Sequence, residues 1–121
     1  MNLDATGRIV IITGGAGGVG SIVSKRWLDA GASVFVIDNR QTTVDSWLSQ
    51  NSDKRSTGHA AALATDITTE AGAHAMVNEA ERAFGKPADT LIHMVGGFAS
   101  AAVEDDNAAE VWDRMIALNL T

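Results

Sequence analysis

The chain has 121 residues, room for one domain and not for two. Its 45% hydrophobic and 20% charged content is that of a globular protein, and a net charge of -6 argues against a partner with a phosphate backbone. It contains no cysteine, which excludes disulfides, thiolate zinc sites and cysteine nucleophiles, and no tyrosine, which excludes a phenolic proton donor from within these residues.

Met1-Asn2-Leu3-Asp4 lacks the basic stretch and long apolar run of a signal peptide, and Ile9-Val10-Ile11-Ile12 is far too short to cross a bilayer. No membrane association is expected, and the expected location is cytoplasmic. Arg8 to Thr13 is an apolar, β-branched run ending in glycines, as a buried parallel strand does. From Gly18 to Ala30 a helix is predicted, with Val19, Ile22, Val23, Trp27 and Ala30 on its inner face and Gly31 as its stop. Ser33 to Asp38 reads as the second strand. Val44, Trp47 and Leu48 mark a short second helix, followed by a polar loop from Ser49 to Asp53. His59 to Thr65 is an alanine-rich third strand suited to a sheet edge. Ala73, Met76, Val77, Ala80 and Phe84 give the clearest helical stripe, closed by Gly85 and Pro87. Thr90 to Val95 is the fourth strand. Ala108, Val111, Trp112, Met115 and Asn119 share one face of a last helix.

Alternating strands and helices predict an α/β fold, a Rossmann-like parallel sheet with helices on both faces. The glycine turn after the first strand and right-handed crossovers favour the order 3-2-1-4, half of a doubly wound sheet.

The chemistry starts at Thr13-Gly14-Gly15-Ala16-Gly17-Gly18-Val19-Gly20. A tight strand-to-helix turn leaves the first helical N–H groups unpaired, and with the helix dipole they favour an anion. Gly14 suits the sharp turn, Gly18 the approach of phosphates, and Gly20 a close seat of helix on strand. A second register, Gly15, Gly17 and Gly20, also satisfies Gly-x-Gly-x-x-Gly. The residues expected to bind the cofactor at this turn are Gly14, Gly17, Gly18, Val19 and Gly20. Asp38 closes the second strand, where a carboxylate accepts from both ribose hydroxyls and repels a 2′-phosphate. That favours NAD over NADP, with Arg40 nearby as the opposing feature. The alternative for Asp38 is the N-cap of the following helix. At two further strand ends, Asp66 is placed to reach the adenine amino group and Gly96, after Val95, to let the backbone approach the ribose. Asp66 or Thr68 also serves as an N-cap.

In this order the residues resemble the short-chain dehydrogenases/reductases. Thr13-Gly14-x-x-x-Gly18-x-Gly20 is similar to the family's cofactor turn, Asp38 to its NAD-selecting acid, and Asp66-Ile67 to its adenine-binding pair. Asp89 through Gly96 aligns with the stretch that ends Asn-Asn-Ala-Gly in most members, and Trp112 through Leu120 with the helix carrying the active-site asparagine. The resemblance implies a dinucleotide cofactor, with Val95 and Gly96 in its site and Asn119 helping to position a water in the proton relay. His93 and Met94 replace the two asparagines. His93 is read as a hydrogen-bonded core histidine, one of whose ring nitrogens can replace the asparagine's bond. With His59 and His74 it shows no metal-ligand spacing, so no metal is expected.

The resemblance further implies one NAD-binding domain over residues 1–121 that stops before the family's catalytic serine and its Tyr-x-x-x-Lys pair. Hydride transfer between nicotinamide and a carbonyl or alcohol then needs a second half. The apolar fourth strand, at an edge, and the last helix are the expected surfaces for self-association or for such a half. Two alternatives stand beside this one: a non-catalytic NAD-binding module, and a Rossmann-like methyltransferase, which also uses a glycine turn and acids after the second and third strands.

Overall fold

The computed structural model describes residues 4–51, 58–94 and 109–110. Four parallel strands, β1 (Ile9–Thr13), β2 (Ser33–Asp38), β3 (His59–Ala64) and β4 (Thr90–His93), form a sheet of order β3-β2-β1-β4. Helices α1 (Gly18–Asp29), α2 (Gln41–Asn51) and α3 (Glu70–Phe84) connect them. The register pairs Thr13 with Ile37 and with His93, and Asp38 with Ala64, so the carboxyl ends of all four strands lie along one edge. The predicted order is the observed one.

Strand alternation sorts the core onto two faces. Val10, Ile12, Val34 and Val36 pack with Leu28 of α1 and Trp47 of α2. Ile11, Phe35 and Ile37 pack on the opposite face with Ala80, Met76 and Phe84 of α3. There the Phe35 and Phe84 rings meet edge to face at 6.3 Å and 89°, a favoured geometry for their quadrupoles. β3, with Ala60 and Ala62 on one face and Ala61 and Leu63 on the other, is half-buried and outermost, as expected of a weak edge strand.

Three expectations need correction. Val23, Trp27 and Ala30 of α1 pack against the core as expected, but its fully buried residues are Gly20, Ser24 and Leu28, and Val19 and Ile22 are 67% and 63% exposed. Steric approach decides the rotation: Gly20 is the residue that can sit on the preceding turn, and the residues four and eight positions on follow it inward. The loop predicted from Ser49 begins later, since α2 runs to Asn51, whose Nδ2 donates to Trp47 O at 2.9 Å. The cap of α3 is neither Asp66 nor Thr68 but Thr69, whose Oγ1 accepts from Gly72 N at 3.0 Å. The predicted last helix lies outside the described residues apart from Ala109 and Glu110, which are helical.

β4 is pinned to β1 by a reciprocal pair of bonds: Asp89 N donates to Ile9 O at 2.9 Å, and Ile9 N donates to Asp89 Oδ2 at 3.1 Å. Hydrogen bonds from the Thr90 hydroxyl and then from Ile9 N hold the Asp89 carboxyl below its ordinary pKa. Its contribution to stability is present above the ordinary carboxylate value of about 3.9 and is lost as pH falls through the lower folded value. Asp89→Asn is expected to make the acid limb of stability against pH shallower below about pH 4, measured as the urea midpoint across that range. Phe35→Ala is expected to cost about 3–5 kcal/mol by removing the core of the α3 face, measured by urea unfolding.

Candidate functional site

The site grows from the end of β1. Gly14 follows Thr13 with φ +71°, a left-handed conformation that glycine adopts without strain. Its N–H donates to Ile37 O at 2.7 Å, which ties the turn to β2. Gly17 N then donates to Gly14 O at 3.2 Å, and α1 begins at Gly18. A Cβ on Gly20 would stand 2.0 Å from Gly14 O and 2.8 Å from Gly15 Cα, so α1 seats on the turn only because residue 20 has no side chain. Gly15 is fixed by packing as well, with Ile12 and Val36 each 2.9 Å from the position of a Cβ. Gly18 differs: a Cβ there meets no protein atom within 4 Å.

The N-cap of α1, Gly17, brings no side chain to its orphan donors, and no acid stands in the first turn. The amides of Gly18, Val19 and Gly20 have no protein acceptor among the described residues. α3 is the contrast, with Thr69 as its cap and Glu70 in its first turn. The positive end of α1 is thus left unanswered by any described side chain.

Beside this turn a cleft of about 320 Å³ opens at the carboxyl ends of the strands, with Gly14, Gly17, Asp38, Asp66, Ile67 and Met94 among the residues of its wall. The expected residues of the turn, of β2 and of the segment after β3 therefore converge. Val19 is exposed beside them and Gly20 is buried beneath. Val95, Gly96 and Asn119 lie outside the described residues. Asn39 and Thr65 also line the cleft. Sequence reasoning passed over them because a strand-end Asn or Thr carries no distinguishing spacing.

The two carboxylates of the cleft are held by their own loops. Asp38 Oδ1 accepts from Arg40 N at 3.0 Å, two residues on, so Asp38 closes an Asx turn before α2 and does not cap the helix. Among the described residues nothing hydrogen-bonds its second oxygen. Asp66 Oδ1 accepts from the Thr68 hydroxyl at 2.5 Å and from Thr68 N at 2.9 Å. These bonds, the hydroxyl's first, lower the pKa of this exposed carboxyl.

β4 meets the turn through Thr13. Met94 N donates to Thr13 Oγ1 and to Thr13 O, both at 3.0 Å. Thr13 Oγ1 stands 2.8 Å from His93 Nδ1 and 3.5 Å from Ile92 O. Thr13 Oγ1 and His93 Nδ1 share one hydrogen bond, whose direction is set by the ring tautomer. His93 is hydrogen-bonded as expected, but its ring is exposed and not part of the core, because β4 is an edge strand.

The donor set fits a dinucleotide: open backbone N–H groups for a pyrophosphate, a carboxylate acceptor for ribose hydroxyls, and a cleft wall at the strand ends. Comparison with known proteins agrees. The family model for short chain dehydrogenases matches residues 8–121. The short chain dehydrogenase/reductase dpchG of Colletotrichum higginsianum is 31% identical, over 95% of this chain and 42% of its own length. The 2-(S)-hydroxypropyl-CoM dehydrogenase 3 of Xanthobacter autotrophicus is 34% identical, over 93% of this chain and 43% of its own. A short chain dehydrogenase from Mycobacterium smegmatis superposes with a TM-score of 0.82 at 26% identity, over 98% of this chain and 49% of its own. A 7α-hydroxysteroid dehydrogenase complexed with NADH and 7-oxo glycochenodeoxycholic acid gives 0.82 at 28% identity, over 98% and 45%. The chain spans less than half the length of these relatives. The match through residue 121 sets aside a methyltransferase. The chain belongs to the short chain dehydrogenase family.

Proposed function

We propose that residues 1–121 are the NAD-binding half of an oxidoreductase that moves hydride between nicotinamide and a carbonyl or alcohol. The observation that carries this reading is the uncapped N-terminus of α1 opening beside the cleft that holds Asp38. The amides of Gly18, Val19 and Gly20 would receive the pyrophosphate, with the α1 dipole behind them. Asp38, with one carboxylate oxygen open, would accept from the adenosine ribose, and Asp66 and Ile67 would bound the adenine. Nicotinamide, when bound, would supply the hydride to a carbonyl or accept it from an alcohol.

The cofactor family is that of the nicotinamide dinucleotides. The choice of NAD over NADP belongs to the proposal: a 2′-phosphate beside Asp38 would set like charges together, and Arg40, exposed beyond it, offsets this only through solvent. Catalysis needs more than these residues hold. A tyrosine that exchanges the substrate proton, and a lysine that lowers its pKa, have no counterpart among them, since the sequence has no tyrosine. In this reading Asn119 helps position a water of the relay. Tyrosine and lysine come from a second half that continues the sheet beyond β4. Leu91 of β4 and Val77 of α3, 59% and 50% exposed, support that reading, since exposed apolar edges invite pairing.

Calorimetric titration is expected to show binding of NADH and, by about tenfold or more, weaker binding of NADPH. Asp38→Ser is expected to narrow that gap from the NADH side. Equal affinities in the wild type, unchanged in the variant, would sink the assignment to Asp38, and no binding of either would sink the reading as a whole. Sedimentation at micromolar concentration is expected to show self-association through the β4 edge, which Leu91→Lys weakens. A sharp monomer with cooperative unfolding counts against that edge as a pairing surface.

A further inference from the structure

Trp47 and Ser24 lie outside the cleft, yet their buried polar atoms reach the glycine turn from behind. Trp47 is 2% exposed and Ser24 is fully buried. The Trp47 indole N–H donates to Ser24 Oγ at 3.0 Å across the contact between α2 and α1. Ser24 has one hydroxyl proton and two carbonyl oxygens at 3.1 Å, those of Gly15 and Ser21. Ser21 O sits inside α1, where the helix ladder supplies a donor. Gly15 is buried before the helix begins, and its carbonyl has no other donor among the described residues. A buried carbonyl left unpaired is costly, so the Ser24 proton is needed at Gly15. Packing alone would be served by alanine at 24 and any large apolar side chain at 47. The hydroxyl and the indole N–H add two bonds in series that end on the turn.

We infer that Ser24 and Trp47 are positioning residues, a buried relay from α2 through α1 to the Gly15 carbonyl that holds the glycine turn in its cofactor-accepting shape. The inference rests on the reading of the cleft given above. Hydrogen bonds in series polarise one another, so the indole donor strengthens the Ser24 bond to Gly15. α2 starts three residues beyond Asp38, at Gln41. The same relay therefore ties the ribose side of the cleft to its phosphate side, and a shift of either is felt by the other.

The wild type, Ser24→Ala and Trp47→Phe are compared by amide hydrogen exchange, by NAD+ titration and by the 15N signals of the indole N–H groups. In Ser24→Ala, exchange at Gly17 and Ser21 is expected to rise about tenfold, with Val10 to Ile12 unchanged. NAD+ affinity is expected to fall about tenfold in Ser24→Ala and about threefold in Trp47→Phe, where the Ser24 bond to Gly15 survives. The Trp47 indole signal, identified by its loss in Trp47→Phe, is expected to move as NAD+ saturates, which a merely structural contact does not require. Wild-type exchange at the turn in Ser24→Ala refutes the relay whether or not NAD+ binds. NAD+ affinity within about twofold of wild type in Ser24→Ala refutes its positioning role. A wild type that binds no NAD+ refutes the cofactor reading and leaves the exchange result to decide the relay. Should Ser24→Ala not fold, Trp47→Phe, which keeps the ring in the core, carries the same readouts at smaller amplitude.

Discussion

The seating of α1 on the Gly14–Gly15 backbone is the contact on which the cleft depends. A side chain at residue 20 would occupy the place of the Gly14 carbonyl, 2.0 Å away. Because none is there, the helix starts immediately beyond the sheet edge and its first amides stand beside the strand ends. The same contact fixes the rotation of α1. Once Gly20 faces the turn, Ser24 and Leu28 must follow inward, and Val19 and Ile22 are carried outward despite their apolar character. The burial of one polar side chain and the exposure of two apolar ones thus have a single steric cause.

The N-termini of α1 and α3, two of the helix ends at the sheet's carboxyl edge, differ in how their first amides are answered. α3 seats a glycine of its own, Gly72, against Asp66 O, yet it answers its orphan donors with Thr69 and Glu70. α1 answers its donors with neither. A protein gains about 1 kcal/mol from an N-cap, and α1 forgoes one beside a cleft of carboxylates, which leaves its first amides without a side-chain acceptor. The charges then divide the work of recognition. In the proposed reading the helix end would take an anion, and Asp38 and Asp66 would accept from neutral hydroxyl and amino donors a few residues away. A ligand with negative charge at its centre and hydrogen-bond donors at one end matches this order of partners.

Much of this was legible in the sequence because glycine is informative where backbone geometry is extreme. Gly14 and Gly20 carry the reasons assigned to them, and the strand order follows from their place after β1. Asp38 and Asp66 were placed at the cleft by strand-end position alone. Other features were not legible. Apolar periodicity misjudged the inner face of α1, because it counts side chains and cannot see that a missing one allows the closest approach. Three hydroxyl- or carboxylate-bearing residues, Asp66, Thr68 and Thr69, compete for the start of α3, and the choice of Thr69 depends on backbone angles. Ser24 carried no signal in the sequence. Its meaning needs Trp47, which lies 23 positions away and touches it only in three dimensions.

Binding and catalysis are separable in this fold for a physical reason. In the proposed reading the adenosine side of the cleft is built from groups at the ends of the first three strands. Hydride transfer needs a proton donor matched to a carbonyl or alcohol, which in that reading would reach the nicotinamide end from beyond β4. Thr13 stands between the two. Its hydroxyl links His93 and Met94 of the β4 end to the first residue of the turn, within one hydrogen-bonded group. A strand added beside β4 would press on that group, and through it on the backbone that begins the glycine turn. The end of β4 is thus hydrogen-bonded to the place where the cofactor would be held.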